Sequence, residues 1–333
     1  MSTNPYTNQL DLWQEVGQGY TNFCLWNMEH TGVTIPIYTL QKNDAWQQAK
    51  HIFLIGKEAQ SQLVKIINED ERVHVWDSMV LQDQLRWNPY FWWWQQVNEV
   101  SMCNNLVDRL IDPRSAKNNL AIFECMLGIQ KPASDFLYEK ITTDSNLANS
   151  TLFNYLSKGH SWVTACDIDK LNPDIPTYPL HSGHLTFYKS DQQTTNISTL
   201  LPEQIYNKSW FSLIVESRTD HTRFFSEKTA KPLLGHRLFV LFSAPGMLAD
   251  LKILGFQTFD TIIDETYDHI LDDKRRWQKA FDQVIWLSKQ NPKHIYQQAL
   301  SILQHNRKHF LSIDWRKNMV CKMQQILGNQ ERY

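Results

Sequence analysis

The chain has 333 residues, 42% hydrophobic and 12% aromatic, so a packed core is within reach and two domains are expected rather than a single small module. A formal net charge of -2 gives no overall basic field of the kind that dominates nucleic-acid affinity. Five cysteines, at 24, 103, 125, 166 and 321, form no CxxC pair, which speaks against structural zinc and against a disulfide framework.

The chain opens "MSTNPYTNQLDLWQ", without the basic and then apolar pattern of a secretory signal. It contains no uninterrupted apolar run of about 18 residues. A cytoplasmic protein with no membrane span is therefore expected. Gln and Asn are frequent but interspersed with apolar residues, as on an ordinary polar surface.

In chain order, "HIFLIG" (51–56) precedes the helical-looking "KEAQSQLVKIINED", and "VHVWDS" (73–78) precedes "MVLQDQLRW". Short β-branched or aromatic runs alternating with helical segments predict βα units and a parallel sheet covered by helices. "LAIFECMLG" (120–128) and "STLFNYLS" (150–157) read as further strands of the same first half. Between 160 and 200 the pattern gives way to "LNPDIPTYPLHSGHLTFYKSDQQTTN", rich in proline and turn-forming residues, which predicts a linker.

The alternation then resumes: a helix at "PEQIYN", a strand at "WFSLIVES", a helix around 227–234, a strand at "RLFVLF", a helix from about 246 and a short strand at "GFQTF". The segments at 267–290, 292–312 and 314–329 carry apolar residues at roughly i, i+3, i+4 and i+7, with Pro292 at a helix start and Asp314 as an N-cap. The expected organisation is α/β: a Rossmann-like domain over 1–165, a linker over 166–204, a second Rossmann-like domain over 205–290, and helices over 291–333 that pack back on the first domain. Two such domains face a cleft at the carboxyl ends of their strands, where ligands of open α/β sheets bind.

The stretch "VESRTDHTRFFSEKTAKPLLGHRLFVLF" (215–242) lies at such an end. Glu216 closes the strand, and Arg218 and Arg223 lie in the loop that leaves it. Ser226 is the predicted N-cap of the next helix, with Glu227, Lys228 and Thr229 in its first turn. Unpaired N–H groups and a partial positive charge at a helix start suit a phosphate. Lys228 is poorly placed for helix stability and would be relieved by a bound anion, and Lys231 follows at i+3. The competing reading is a solvated loop of ion pairs.

The order of these residues resembles the donor-binding motif of the alpha-1,3-fucosyltransferase family and related GT-B glycosyltransferases. There a strand ending in "FEN" leads to an aromatic residue and "TEK" at a helix start. Here the elements are "VES" (215–217), "FFSEK" (224–228) and "KPLLGHRLFVLFSAPG", and the likeness covers about 35 to 50 of the 333 residues. It is similar also to a group of uncharacterised, often viral, proteins with the pattern EKTxKP…GF.TF…IDE.YD, matched loosely through "LGFQTFDTIIDETYD".

The resemblance implies a GT-B-like fold and a substrate-binding set of Glu216, Ser217, Arg218, Arg223, Phe225, Ser226, Glu227, Lys228 and Lys231. Glu227 would meet the ribose hydroxyls of a nucleotide sugar, Lys228 would neutralise its diphosphate, and Glu216 would orient the donor or the loop. Ser217 stands where the family has Asn, and Ser226 where Thr is usual, so the sugar and base need not be the family's. Catalysis would use Lys228 for the departing diphosphate and a carboxylate base, with Asp77 and Glu58 as strand-end candidates. No metal and no cofactor beyond the donor are implied.

Other features carry less. "CDID" (166–169) contains a DxD that could hold a metal through paired carboxylates or simply form a turn. "HNRKH" (305–309) spaces two histidines at i and i+4 in basic surroundings, without an HExxH. "YFWWWQQV" (90–97) places three tryptophans over roughly 200° of helical arc, too wide for one core stripe, and fits a core or dimer contact or an acceptor platform. GxSxG, Walker A and GxGxxG are absent. The expected function is metal-independent transfer of a sugar from a nucleoside-diphosphate sugar to an acceptor hydroxyl, on a glycan or on modified DNA. The alternatives are a viral transferase acting on modified DNA bases and a non-catalytic nucleotide-binding protein.

Overall fold

The computed structural model describes residues 23–27, 44–55, 69–76, 79–80, 121–128, 130–158, 186–188, 194–196, 203–217, 219, 223–313, 321 and 324–325. The chain divides into two compact units, Met1–Trp94 with Ile313–Tyr333, and Gln95–Ser312. Both are α/β with parallel sheets. Among the described residues no helix is long and apolar enough to cross a membrane.

The first unit holds a three-stranded parallel sheet of β1 (Phe23–Asn27), β2 (His51–Ile55) and β3 (Val73–Trp76), in that order. A short helix α1 (Asp44–Gln48) leads into β2 and buries Trp46. Arg72 fixes the turn before β3: its Nε and Nη2 meet both oxygens of Asp70 at 2.9 and 2.7 Å, while Nη1 donates to the carbonyls of Trp46 and Ala49.

The second unit is built on a four-stranded parallel sheet. Its strands are β4 (Ala121–Gly128), β5 (Thr151–Tyr155), β8 (Ser209–Val215) and β9 (Phe239–Phe242), in the spatial order β9-β8-β4-β5. A hairpin of β6 (Thr186–Tyr188) and β7 (Thr194–Asn196) lies between β5 and β8 in sequence. Strands buried on both faces read as near-continuous apolar runs, and SWFSLIV and FVLF are of this kind.

β4 pairs with β5 on one side and β8 on the other. The strands at 121–128 and 151–155, which sequence pattern joins to the first half of the chain, thus share a sheet with 209–215 and 239–242. The sheet takes strands from both sides of the proline-rich stretch.

The helices follow from local signals. α2 (Pro132–Thr143) starts on a proline whose fixed φ suits the first helical position, and it buries Ala133, Ser134, Leu137 and Ile141. Asp144 ends α2 and caps α3 (Ser145–Ser150), accepting from the amides of Asn146 and Leu147. α4 (Glu203–Tyr206) precedes β8, and α5 (Glu227–Leu234) follows it. α6 (Met247–Ile253) begins after Gly246 at φ 83°, a left-handed conformation that favours glycine. α7 (Asp273–Ser288) is capped by Asp272, which accepts from Arg275 N.

α8 (Pro292–Ser312) packs against α5 and β8, so this helix belongs to the second unit, whereas residues 313–333 group with the first. "GFQTF", predicted as a strand, is instead an irregular segment pinned from two sides. Asn306 of α8 both accepts from Gln257 N and donates to Gln257 O at 2.8 Å. On the other side the Glu265 carboxylate accepts from Thr258 Oγ at 2.5 Å and Phe259 N at 2.7 Å.

Candidate functional site

The strand order of the second unit fixes where its loops diverge. From β4 the chain moves outward to β5, then returns to β8 on the opposite side of β4 and continues to β9. The loops after β4 and β8 therefore leave in opposite directions. Such a switch point, outside the carboxyl ends of the strands, is where open α/β sheets bind ligands.

The two loops meet there through a lysine. Lys131, immediately before Pro132, donates from Nζ to Glu216 O at 2.7 Å and to Val215 O at 3.4 Å. It is also the N-cap residue of α2, with an extended backbone and no side-chain capping bond of its own. A cation thus stands at the end of β8 beside the start of α2.

Across the switch point, the buried carboxylate of Glu216 ties the strand end to α5. It accepts from Ser217 N and Ser226 N at 3.1 Å, from Ser226 Oγ at 2.6 Å and from Thr229 Oγ1 at 2.5 Å. Two donors per oxygen saturate a carboxylate. Glu216 is 0% exposed, so its role here is to hold the loop and the helix start. Ser226 caps α5 by accepting from Lys228 N at 3.2 Å.

Lys228, half-buried, donates from Nζ to Ser217 Oγ at 3.0 Å. Ser217 thereby receives the residue on which the phosphate reading rests. Lys231 is 1% exposed and, with Lys228, Glu124, Tyr206 and Val215, lines a small cavity of about 20 Å³ under α5, room for one water. Burial raises the Glu124 carboxyl above its usual range, against the pull of Arg237, a hydrogen bond with Ser212, and Lys231.

The remaining expected residues disperse. Phe225 is 1% exposed and belongs to the core. Arg223 donates from Nη1 to Asp250 Oδ1 of α6 at 2.7 Å. Glu227 opens α5. Asp77, Glu58 and Arg218 lie outside the described residues, as do the DxD at 167–169 and the tryptophan run at 92–94.

His305 and His309 stack with an interplanar angle of 11°, and their Nε2 atoms sit 3.0 and 2.7 Å from the carbonyls of Gly255 and Leu254. A carbonyl only accepts, so each Nε2 carries a proton and the pair caps the end of α6. Among the described residues no group of three or more His, Cys, Asp or Glu is placed to hold a metal.

Several site-building residues carried no sequence signal that pattern reading used. Arg237, 2% exposed, lies under β8, donating from Nε to Ser212 Oγ and from Nη1 to the carbonyls of Tyr206 and Ser209, with Tyr206 stacked 4.7 Å from the guanidinium. Arg276, also 2% exposed, joins three loops near the carboxyl ends of β8 and β9 through Thr219 O, Ser243 O, Ile270 O and Leu271 O, and it pairs with Asp273. Lys131 had one usable signal, a Lys-Pro step shortly after a strand that ends in glycine, which marks a helix start.

Comparison of the chain with family models, curated proteins and solved structures finds no match.

Proposed function

We propose that the protein is a glycosyltransferase of GT-B-like architecture that takes its sugar from a nucleoside diphosphate and binds that donor on the second unit. The observation that carries this reading is the convergence of two lysines and two helix starts at one switch point. Lys131 stands at the start of α2 and Lys228 in the first turn of α5, both within hydrogen-bond distance of the Val215–Ser217 segment. Oriented N–H groups with adjacent ammonium groups suit a diphosphate. The order of Glu216, Ser226, Glu227 and Lys228, which resembles the fucosyltransferase donor motif, supports the same assignment.

In this mechanism an acceptor hydroxyl oxygen forms a bond to the anomeric carbon as the bond from that carbon to the diphosphate oxygen breaks. The electron pair leaves with the diphosphate, where Lys228 and Lys131 stabilise the growing negative charge. The hydroxyl proton passes to a carboxylate, for which Asp77 and Glu58 are the candidates. Glu227 receives the ribose hydroxyls.

The test is calorimetric titration with UDP, GDP, ADP and CDP, followed by incubation with the corresponding sugar nucleotides with and without acceptor saccharides. Binding of at least one diphosphate, weakened in Lys228→Ala, and slow release of free nucleotide from its sugar form are expected. Absence of binding by all four ends the proposal. Tight binding without release would assign a nucleotide-binding protein without turnover.

A further inference from the structure

Arg223 lies in a short strand, Arg223–Phe224, between β8 and α5; its guanidinium is tied to α6, and the tie is half made. Nη1 donates to Asp250 Oδ1 at 2.7 Å. Arg223 Nε and Asp250 Oδ2 are both buried, and neither has a hydrogen-bond partner among the described residues. An arginine fork on a carboxylate normally makes two parallel bonds. Here one donor and one acceptor stay unpaired away from water, an arrangement that weakens the hold of Asp250 on the guanidinium.

Arg223 passes over Gly246, where even an added Cβ would stand 3.6 Å from Nη1, so the packing there is ordinary and not interlocked. Asp250 shares the start of α6 with Asp268, which accepts from Leu248 N and Ala249 N at 3.1 and 3.2 Å. The charged groups that face this pair are Arg223, and beyond Asp268 the side chains of His269 and Lys252. Burial holds the Asp250 carboxyl above its usual range in spite of Arg223, and Asp268 adds to this.

We propose that Asp250 keeps Arg223 in reserve, that a bound nucleoside diphosphate draws the guanidinium away, and that Asp250 thereby sets the affinity of the donor site. This rests on the functional reading above. It makes Arg223 the third cation of the site only in the liganded protein. A ligand whose competent state is populated about one part in ten binds about tenfold more weakly than it would to that state alone.

The full chain is titrated calorimetrically with UDP, GDP, ADP and CDP as wild type, Asp250→Asn, Arg223→Ala, the double variant and Lys228→Ala. Asp250→Asn should bind the preferred diphosphate about tenfold more tightly, and Arg223→Ala about ten- to a hundredfold more weakly. The double variant should match Arg223→Ala, because the gain from losing Asp250 exists only through Arg223. Asp250→Ser, which removes the same charge, serves if the asparagine variant does not fold. Equal or weaker binding by the Asp250 variants, with Lys228→Ala still impaired, overturns the reserve role and leaves the donor site standing. No binding of any diphosphate by the wild type overturns both.

Discussion

Replacing Glu216 by Gln separates a structural tie from a ligand contact. Each carboxylate oxygen accepts one backbone N–H and one hydroxyl: Ser226 N with Thr229 Oγ1, and Ser217 N with Ser226 Oγ. An amide keeps one oxygen and turns an NH₂ toward the other pair. A hydroxyl can rotate and accept, but a backbone N–H cannot, so one buried amide loses its acceptor at about 1–3 kcal/mol. The retained bonds lose their charge assistance, roughly 1 kcal/mol each, and the cheaper burial of a neutral group offsets part of this. The net expectation is a loss of about 2–4 kcal/mol, or roughly 5–15 °C in the midpoint of the transition of the second unit. Thermal denaturation followed by circular dichroism without ligand measures it. A midpoint within about a degree of wild type, combined with lost nucleotide binding, would show that Glu216 faces the donor and that the saturated network is wrong.

Lys228→Ala removes the ammonium beside Ser217 and should weaken diphosphate binding about ten- to a hundredfold in calorimetry, with the apo melting point almost unchanged, since the contact it makes is partly exposed. Gly235→Ala would set a Cβ 2.7 Å from Tyr206 Cε2 and 2.9 Å from Cδ2, and because that ring is buried against Arg237 the change should cost about 1–3 kcal/mol in urea denaturation; wild-type stability would refute the packing. Glu265 has its pKa raised from 4.5 to about 7, chiefly by burial. The folded state therefore binds the extra proton, and this group's contribution is complete below about pH 4.5 and lost as pH rises through about 7. The difference between wild type and Glu265→Gln should change by on the order of 3 kcal/mol across that window, and parallel stability curves from pH 4.5 to 8 would refute it.

Periodicity made the parallel-sheet class readable, because strands such as SWFSLIV and FVLF are buried apolar runs bounded by helical segments. The capping residue Ser226 was readable for the same local reason. What could not be read was which strands share a sheet. The pairing of Ala121 with Ser209 spans 88 positions and leaves no mark on either segment's own pattern, so β4 was grouped with its sequence neighbours. That grouping concealed Lys131, whose partners Val215 and Glu216 are 84 and 85 positions away. Glu216 and Arg223 were legible as charges but not as bonds. Their roles depend on Thr229 and Asp250, one a hydroxyl and the other a carboxylate inside a helix that pattern reading treats as generic.

The motif residues divide by what they touch, and the division bears on how far a sequence likeness can be carried. In "GFQTFDTIIDETYD", Phe256 packs on His309 with ring centroids at 4.8 Å and Phe259 on Phe239 at 5.1 Å. Thr258 and Glu265 bond one another, and Asp264 caps the turn that begins at Glu265 by accepting from Thr266 N. Tyr267 Oη accepts from Leu241 N of β9, and Asp268 caps α6. All of these brace the sheet, and Thr229 of "EKTAKP" braces it too, through Glu216. A chain could keep every one of them and lose its chemistry, because a retained fold does not retain an activity. Among the described side chains of that pattern, Lys228 is the ammonium that bonds Ser217 at the switch point, Lys231 is buried under α5, and Lys131 lies outside the pattern altogether. A likeness that matches the braces therefore speaks for the sheet, whereas the glycosyltransferase assignment stands or falls with Lys228 and Lys131.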